Sequence, residues 1–506
     1  MGAPEVKKAE GRTMRRRTLK DILGPFDEPT PLDTIQSAID TLGGDPGGDT
    51  ANGVAFYERH REKLCWNPET KRWHAFRAGV WTPDNEELHM QAFAAERLEE
   101  ASRRFRQAKL SGDDKDEEDA ERAMSKAGML FNDRRAQERA LKQARPHMAI
   151  PSARFNRTPH LLGVGNGVLD LLKLTLVQAP ASEYISKRMG CDYDPDAKAP
   201  MWNRFICEVL DNADERKFFQ RCIGAALFGV ILDNGIVFML GESGDNGKSV
   251  ACNVLTRLFG GYCMIAGADL LLQTKHDSET KRLYAALSMG PRLVLINEIP
   301  KHAVWDDKKL KDVASRDDLQ ARKLFGEVYS FTPTHHVFVR GNHAPGSQDS
   351  GDAFWKRIWP VTFDVQIPKS KQIAGLDDKI AAHELPGVLN WALEGAREWR
   401  ADGEASGSMG RLVLPACVKD ARERYRAKTD YVARWLREFT EDGEQSGTPR
   451  AELWASYRAF LLSVGMKNPG VDRAFFDELR ARGIPEGKSD GVRVFRHIRL
   501  KGERFK

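Results

Sequence analysis

The sequence predicts an α/β fold with a parallel sheet at its centre, a small α+β unit ahead of it and a basic, mainly helical unit behind it. Three observations lead there. An apolar run at 236–240 ends in a glycine-rich turn and continues as a helical pattern to Leu258. Two more short apolar strands, at 292–296 and 336–339, alternate with helical segments across 201–400, as strands and crossover helices do in a parallel sheet. The chain has 506 residues, more than one ordinary domain holds.

The elements follow in chain order. Residues 1–50 are rich in Lys, Arg, Pro, Gly and Asp, and the glycine-rich run from Gly43 to Gly48 reads as linker. One helix is expected at 34–42, with Asp33 as its N-cap. The basic stretch 7–20 reads as a solvated tail, with DNA contact as the other reading. Between 51 and 150, Trp66, Trp73, Phe76 and Trp81 sit near turn signals and predict one or two hairpins. Two long charged helices are expected at 86–110 and 115–145, each with one apolar face at three- and four-residue spacing. Alternation and glycines from Leu161 to Leu171 predict short strands within a connector at 151–200, and a helix is expected at 202–210. Beyond the sheet region, 403–410 reads as a glycine/serine linker. Residues 411–506 predict helices at 419–439, 450–463 and 474–482, then a closing hairpin at 492–500. That last unit carries 21 Lys and Arg against 14 Asp and Glu, an excess of 7 where the whole chain has +5. The positive charge is concentrated there, which suits a polyanionic partner.

Several classes are excluded by composition. The seven cysteines include no Cys-x-x-Cys pair and stand at no zinc spacing with His335, His336 or His343. Reduced, mostly buried thiols and no structural zinc are expected. The strongest apolar stretch, 222–240, is broken by Asp233, Asn234 and Gly235, so it reads as helix, turn and buried strand, not a membrane span. Arg15, Arg16 and Arg17 are followed by no apolar core, so no secretory signal is read and a cytoplasmic location is expected.

The chemistry gathers at Gly241, Gly244, Asp245, Asn246, Gly247, Lys248, Ser249 and Val250. Glycines let backbone N–H groups turn toward phosphate oxygens. Lys248 can reach β- and γ-phosphates, Ser249 can ligate Mg²⁺, and a helix N-terminus favours an anion. A nucleoside triphosphate with Mg²⁺ is the expected ligand. Glu242 stands where the first glycine of such loops usually falls.

Later segments add to this. Asn297 and Glu298 follow four apolar residues, at the strand edge where ligands sit in an open α/β sheet. Glu298 is expected to polarise an attacking water. Asn297 replaces the usual acid, so Mg²⁺ would rest on Ser249, nucleotide oxygens and waters, with Asn297 or Glu298 outside that shell. Without the upstream loop, the same strand would read as an ordinary buried strand with a surface Glu. Asn342, ending the third strand, suits an amide that senses the γ-phosphate; alone it would be a turn residue before Pro345. Arg357, among Phe354, Trp355 and Trp359, is expected as an arginine finger for a neighbour's γ-phosphate, with Lys356 as competitor and a carboxylate-paired structural Arg as the plain alternative. Residues 310–327 suit a basic hairpin that grips a DNA backbone through Lys311, Arg322 and Lys323, or else an ordinary charged surface hairpin.

In this order the motifs resemble superfamily 3 helicases, and within them the phage and plasmid primase–helicase branch, related to the poxvirus-type helicase–primase. They are Gly-x-x-Gly-x-Asn-Gly-Lys-Ser ending at Ser249, Arg-Leu-Val-Leu-Ile-Asn-Glu ending at Glu298, Leu-Lys with Asp317 and Ala-Arg up to Arg322, Val-Arg-Gly-Asn-x-x-Pro ending at Pro345, and Trp-Lys-Arg ending at Arg357. Asn166 to Leu171, Pro200 to Trp202 and Leu385 to Trp391 agree as well. The resemblance implies an AAA+-like P-loop NTPase core, a hexameric ring, Mg²⁺–ATP, 3′-to-5′ translocation on single-stranded DNA and a winged-helix-like unit at 411–506. Ser315-Arg316 departs from the Gly-Gly that family members often carry. Fuller members have an N-terminal primase domain. About 150 residues precede the helicase region here, without zinc-ribbon cysteines or an Asp-x-Asp strand, so primer synthesis is not expected.

The resemblance therefore implies an ATP-dependent replicative DNA helicase of a phage or mobile element, in the host cytoplasm, acting on single-stranded and forked DNA as a homo-oligomer. A primase, polymerase or initiator would be a further partner. An ATP-regulated origin-binding initiator or DNA-binding regulator is the alternative, and a packaging ATPase fits less well.

Overall fold

The computed structural model describes residues 48–501 apart from 85, 242–243, 274–279, 301–302, 323–326, 344, 347–351, 444–446 and 465–471. The expected helix at 34–42, the basic stretch 7–20, Glu242 and Lys323 thus lie outside the described residues. The chain divides into two compact units, one comprising residues up to 61 with 85–148, the other 62–84 with 149 onward.

The first unit is helical: α1 Asp49–His60, α2 Glu86–Ser111, α3 Asp114–Asn132 and α4 Arg134–Ala144. Its core contains Phe56, Met90, Phe93, Leu130 and Leu141, with the Phe56 and Phe93 rings edge to face at 5.5 Å. The single helix expected at 115–145 is broken at Asp133. That residue is extended (φ −112°, ψ 107°), and its carboxylate accepts the Arg135 N–H at 2.9 Å to cap α4. An Asp offers a helix more as its cap, about 1 kcal/mol, than as an interior residue.

The second unit opens with an antiparallel meander, β1 Leu64–Asn67, β2 Arg72–Arg77 and β3 Val80–Asp84. The sequence predicts these strands in one unit with the helices of 51–150; in compactness they group instead with the rest of the chain. A second meander follows, β4 Leu161–Val164, β5 Gly167–Asp170 and β6 Thr175–Val177, then α5 Pro200–Val209 and α6 Ala213–Phe228. Asn212 caps α6. The carboxylate of Glu384, distant in sequence, accepts the Met201 and Trp202 N–H groups at 3.0 Å each and so caps α5 with negative charge.

Next come β7 Ile236–Leu240, α7 Lys248–Phe259, β8 Cys263–Ala266, α8 Thr280–Leu287, β9 Leu293–Ile296, α9 Asp307–Val313, the antiparallel pair β10 Leu319–Arg322 and β11 Val328–Phe331, β12 His336–Gly341, α10 Asp352–Trp355, β13 Ile358–Thr362, α11 Leu376–His383 and α12 Leu385–Glu404. Five of these strands form one parallel sheet in the order β13-β7-β12-β9-β8. The chain is therefore an α/β protein with a parallel sheet. Strand alternation divides the interior in two. Val237, Met239, Leu295 and Phe338 enter one core with α5, α6, α7 and α12, while Phe238, Val294, Ile296 and Val339 enter the other with Trp305 and Leu310. Each large apolar side chain buried this way contributes about 1.5–3 kcal/mol.

Arg292 sits just before β9 and is 3% exposed. Its guanidinium donates to the Leu161 carbonyl at 2.8 Å and to the Leu227 carbonyl, and lies over the Tyr262 ring at 4.7 Å. The expected glycine/serine linker at 403–410 is a packed turn. A Cβ on Gly403 would fall 2.2 Å from the Gly410 Cα, and one on Gly410 would strike the Trp399 ring.

The final elements are α13 Ala416–Thr429, α14 Tyr431–Phe439, β14 Thr440–Asp442, β15 Thr448–Pro449, α15 Arg450–Ser463, α16 Asp472–Ala481, β16 Glu486–Ser489, β17 Val492–Phe495 and β18 Ile498–Leu500. The expected helix at 419–439 is divided at Asp430, which caps α14 through the Ala433 N–H at 2.8 Å. The expected hairpin at 492–500 does not form. β17 pairs with β15 and β16, whereas β18 pairs with β14, and the chain reverses through His497 at φ 62°. Around these strands Trp435, Tyr457, Phe460, Phe475 and Phe495 form a separate aromatic core.

Two histidines at the start of β12 make the sheet acid-sensitive. His335 Nε2 donates to the Val313 carbonyl and His336 Nε2 to the Val230 carbonyl, both at 3.1 Å, and His335 Nδ1 is buried without a partner. Burial holds both rings neutral and lowers their pKa values to about 4. The unfolded chain takes up protons below about pH 6.5 and the folded chain does not, so stability is full above that value and is lost as pH falls toward 4. The thermal midpoint is expected to drop by several degrees between pH 7 and 5, and His335→Gln is expected to flatten that slope; an unchanged slope would exclude His335 as a contributor.

Candidate functional site

The loop between β7 and α7 lies at the C-terminal edge of the sheet. Gly247 adopts φ 81°, and α7 starts directly after it with no side-chain cap. The first N–H groups of that helix are thus left for an acceptor of another kind. A Cβ on Gly247 would fall 2.5 Å from Val209 Cγ1, and one on Gly241 2.4 Å from the Phe363 carbonyl. The loop is therefore pinned between α5 and the segment after β13, where the Ile367 N–H also donates to the Asp245 carbonyl at 2.9 Å. Asn246 is 4% exposed, Gly244 and Asp245 are open to solvent, and Val250 packs behind the loop.

Lys248 is folded inward. It is 3% exposed, and its Nζ donates to the Gly241 carbonyl at 2.8 Å. Burial, and then the like charge of Arg340, lower its pKa to about 8, while the Asp364 carboxylate beyond β13 acts in the opposite direction.

Arg340 is the residue that organises this edge. It stands beside Met239 in the β12–β7 register, one residue past Val339, which pairs with Ile296 on the other side. Its Nε donates to the Asn297 carbonyl at 2.7 Å and its Nη1 to Ser249 Oγ at 2.9 Å. One side chain thus ties the first turn of α7 to the strand that leads to Asn297 and Glu298. Glu298 and Asn342 are both exposed and follow the ends of neighbouring strands. Sequence inspection passed over Arg340 as a functional residue, although a charge ending an otherwise apolar central strand was the available signal. Asp364 carried no such signal.

The residues fit phosphate groups: an uncapped helix start, a left-handed glycine, open space at Gly244 and an ammonium without a carboxylate hydrogen bond. A divalent cation fits less simply. Ser249 Oγ accepts from the Arg340 guanidinium, and that positive charge beside the hydroxyl opposes a divalent cation there. Among the described residues, no group of three or more His, Cys, Asp or Glu side chains is arranged to hold a metal ion.

Arg357 lies at the opposite edge of the sheet. Ile358 pairs with Ile236 in the parallel β13–β7 register, and the Arg357 carbonyl accepts the Ile236 N–H at 2.8 Å. The loop begins five residues further along β7, about 16 Å away at ~3.3 Å per residue. Arg357 donates to the Ala353 carbonyl, its Nε has no partner, and it makes no ion pair among the described residues. Lys356 beside it is exposed. Lys311 is exposed on α9 and Arg322 at the end of β10. Ser315 closes the turn before β10, donating to the Asp317 carboxylate at 2.8 Å and accepting its N–H at 3.2 Å. Among the described residues no helix is long and apolar enough to cross a membrane.

Comparison with known proteins bears on this arrangement. Residues 53–211 match the family model described as D5 N terminal like. The chain is 23% identical over 337 residues to the candidate helicase 121R of Invertebrate iridescent virus 3, a stretch covering 61% of this chain and 36% of that protein. It is 22% identical over 362 residues to the candidate helicase 184R of Invertebrate iridescent virus 6, covering 64% and 37%. It is 24% identical over 211 residues to the candidate primase C962R of African swine fever virus, covering 40% and 22%. The chain thus spans little more than a third of the length of these relatives, or less. Among solved structures, the apo C-terminal region of NrS-1 is similar at TM-score 0.43 and 10% identity, over 87% of this chain and 98% of that one. In its 53–211 match and in these relatives the chain is similar to D5-like primase–helicases.

Proposed function

We propose that this chain is an ATP-dependent DNA helicase of replication, working as a ring of identical subunits, six by family resemblance, on single-stranded and forked DNA. Its sheet region would be an AAA+-like P-loop core and its last unit a winged-helix-like DNA-binding element. One observation carries this. β12 lies between β7 and β9, so the Lys248 loop, Glu298 and Asn342 share one sheet edge while Arg357 is at the other. That is half of a site at each edge, as expected of a motor whose subunits complete one another.

In this proposal Lys248 leaves the Gly241 carbonyl for the β- and γ-phosphate oxygens of ATP, and the first N–H groups of α7 receive the remaining charge. Ser249, freed of Arg340, would hold Mg²⁺, which would supply positive charge to the phosphates. Glu298 orients and deprotonates the attacking water, Asn342 hydrogen-bonds the γ-phosphate, and Arg357 of the adjoining subunit balances charge that develops there. Lys311, Arg322 and Lys323 hold the DNA backbone.

Lys248→Ala is expected to lower ATP hydrolysis and forked-duplex unwinding by on the order of 10²-fold or more with an unchanged circular dichroism spectrum; normal unwinding by that variant refutes the assignment. Mixing Arg357→Ala with Lys248→Ala subunits is expected to restore part of the hydrolysis that each lacks alone, because mixed neighbours rebuild intact sites. If hybrid rings form, shown by co-purification on one tagged variant, and remain inactive, Arg357 is not the finger. Arg340→Met frees Ser249 and is expected to lower the Mg²⁺ concentration at half-maximal hydrolysis several-fold. An unchanged midpoint removes Arg340 from the metal step.

A further inference from the structure

We propose that a second nucleotide-binding site, distinct from the Lys248 loop, occupies the cavity between the β1–β2 turn and strand β11, and that it takes one nucleoside monophosphate unit. The cavity measures about 580 Å³, within the ~300–1,000 Å³ of small-molecule sites. It is built wholly within the second compact unit, from segments far apart in sequence.

Its walls carry the two kinds of group that such a unit needs. Phe155, Tyr329 and Phe331 are half-buried aromatic walls, and the Tyr329 hydroxyl is fixed at 2.7 Å from Ser288 Oγ. Aromatic faces of this kind stack a base for about 1–3 kcal/mol. Lys187 and Arg157 supply positive charge; neither forms an ion pair among the described residues, although the Asp318 carboxylate acts on Arg157, whose Nε also donates to the Ala153 carbonyl. Lys187 is held in position by Asn156, whose Oδ1 accepts the Ser186 and Lys187 N–H groups at 2.9 and 3.3 Å from a left-handed backbone at φ 56°. Burial, and then the neighbouring Arg292, push the Lys187 pKa down to about 8, the response of an ammonium that lacks an anion. Thr70 Oγ1 is buried without a hydrogen-bond partner, a group left available for a ligand's polar edge.

The carboxylates limit what enters. Glu69 and Glu327 also line the cavity, and Glu69 already accepts the Ser152 N–H at 2.9 Å. With Glu69 and Glu327 in the lining and Asp318 acting on Arg157, the two cations suit the charge of one phosphate and oppose a triphosphate. A nucleoside monophosphate reaches the cavity either free or as a residue of a single strand. The second source rests on the helicase proposal, since β11 pairs with β10, which carries Arg322; the cavity chemistry stands without it.

The test uses the full chain with Lys248→Ala, so that the loop cannot contribute. Binding of radiolabelled thymidine 5′-monophosphate is followed by equilibrium dialysis, and binding of a fluorescent twelve-residue oligo(dT) by anisotropy. Lys187→Met and Phe331→Ala, each added separately, are expected to weaken at least one probe by tenfold or more without moving the thermal midpoint. Loss with both probes means that free nucleotide enters; loss with the oligonucleotide alone means a strand residue does. As a check that needs no substitution at the cavity, the bound probe should protect Lys187 from acylation, read by peptide mass spectrometry. The proposal is overturned if neither probe protects Lys187, or if both substitutions leave both affinities unchanged. A chain that unwinds forked DNA yet fails this test loses only the second site, and a chain that passes it without unwinding loses only the helicase proposal.

Discussion

The parallel register of β7 against β12 is the constraint on which the site depends. Gly341 pairs with Leu240, and Val339 pairs on its other side with Ile296. These pairings end β7 and β12 together and β9 two residues earlier, all at the same edge of the sheet. They leave Arg340 within reach of both Ser249 and Asn297. A slip of one residue would turn Arg340 toward the opposite core and lift Val339 or Gly341 into its place. The alternation of buried residues across β7, β9 and β12 opposes that slip, because it would exchange two apolar cores at once. The chemistry at the edge is thus held by apolar residues that take no part in it.

Much of this was legible in the sequence. The three central strands, the loop before α7 and the α/β class follow from apolar runs of strand length separated by helical periodicity. What was not legible follows from two kinds of physics. Asp133 and Asp430 break predicted helices because a carboxylate that caps the next helix competes locally with helix continuation, and a window of apolar spacing does not register it. The 492–500 segment alternates like a hairpin, but β17 forms its hairpin with β16 just ahead of it and pairs also with β15, while β18 pairs with the more distant β14. Strand pairing is a tertiary choice that local alternation leaves open. The packed turn at 403–410 was hidden for a similar reason: glycine composition is the same for a loose connection and for a close approach of backbones.

The candidate site divides along the same line. Gly241, Asn246, Gly247, Lys248 and Ser249 form one contiguous segment, and the sequence alone announces them. Arg340 acts on Lys248 from β12 and Asp364 from the segment after β13, so their nearness to it depends on the sheet order. The opposite position of Arg357 likewise depends on β13 running parallel to β7, a fact no motif spacing contains. Glu298 and Asn342 are exposed just beyond the ends of β9 and β12, and their nearness to the loop also follows from the sheet order.

Arg292 has a consequence for how the second unit comes apart. Its guanidinium is buried with no ion pair among the described residues and donates to carbonyl groups of Leu161 and Leu227, which belong to the small meander and to the end of α6. Pulling either segment away strands a charge in the interior, a cost of several kcal/mol. Fraying of the meander alone is therefore disfavoured, as is detachment of α6 alone. The meander, the helix and the strand β9 open together or not at all, so a proteolytic nick or a destabilising change in the 151–200 connector propagates into the sheet that carries the loop. The connector behaves as a structural member of the core, and its removal to make a shorter chain would uncover Arg292.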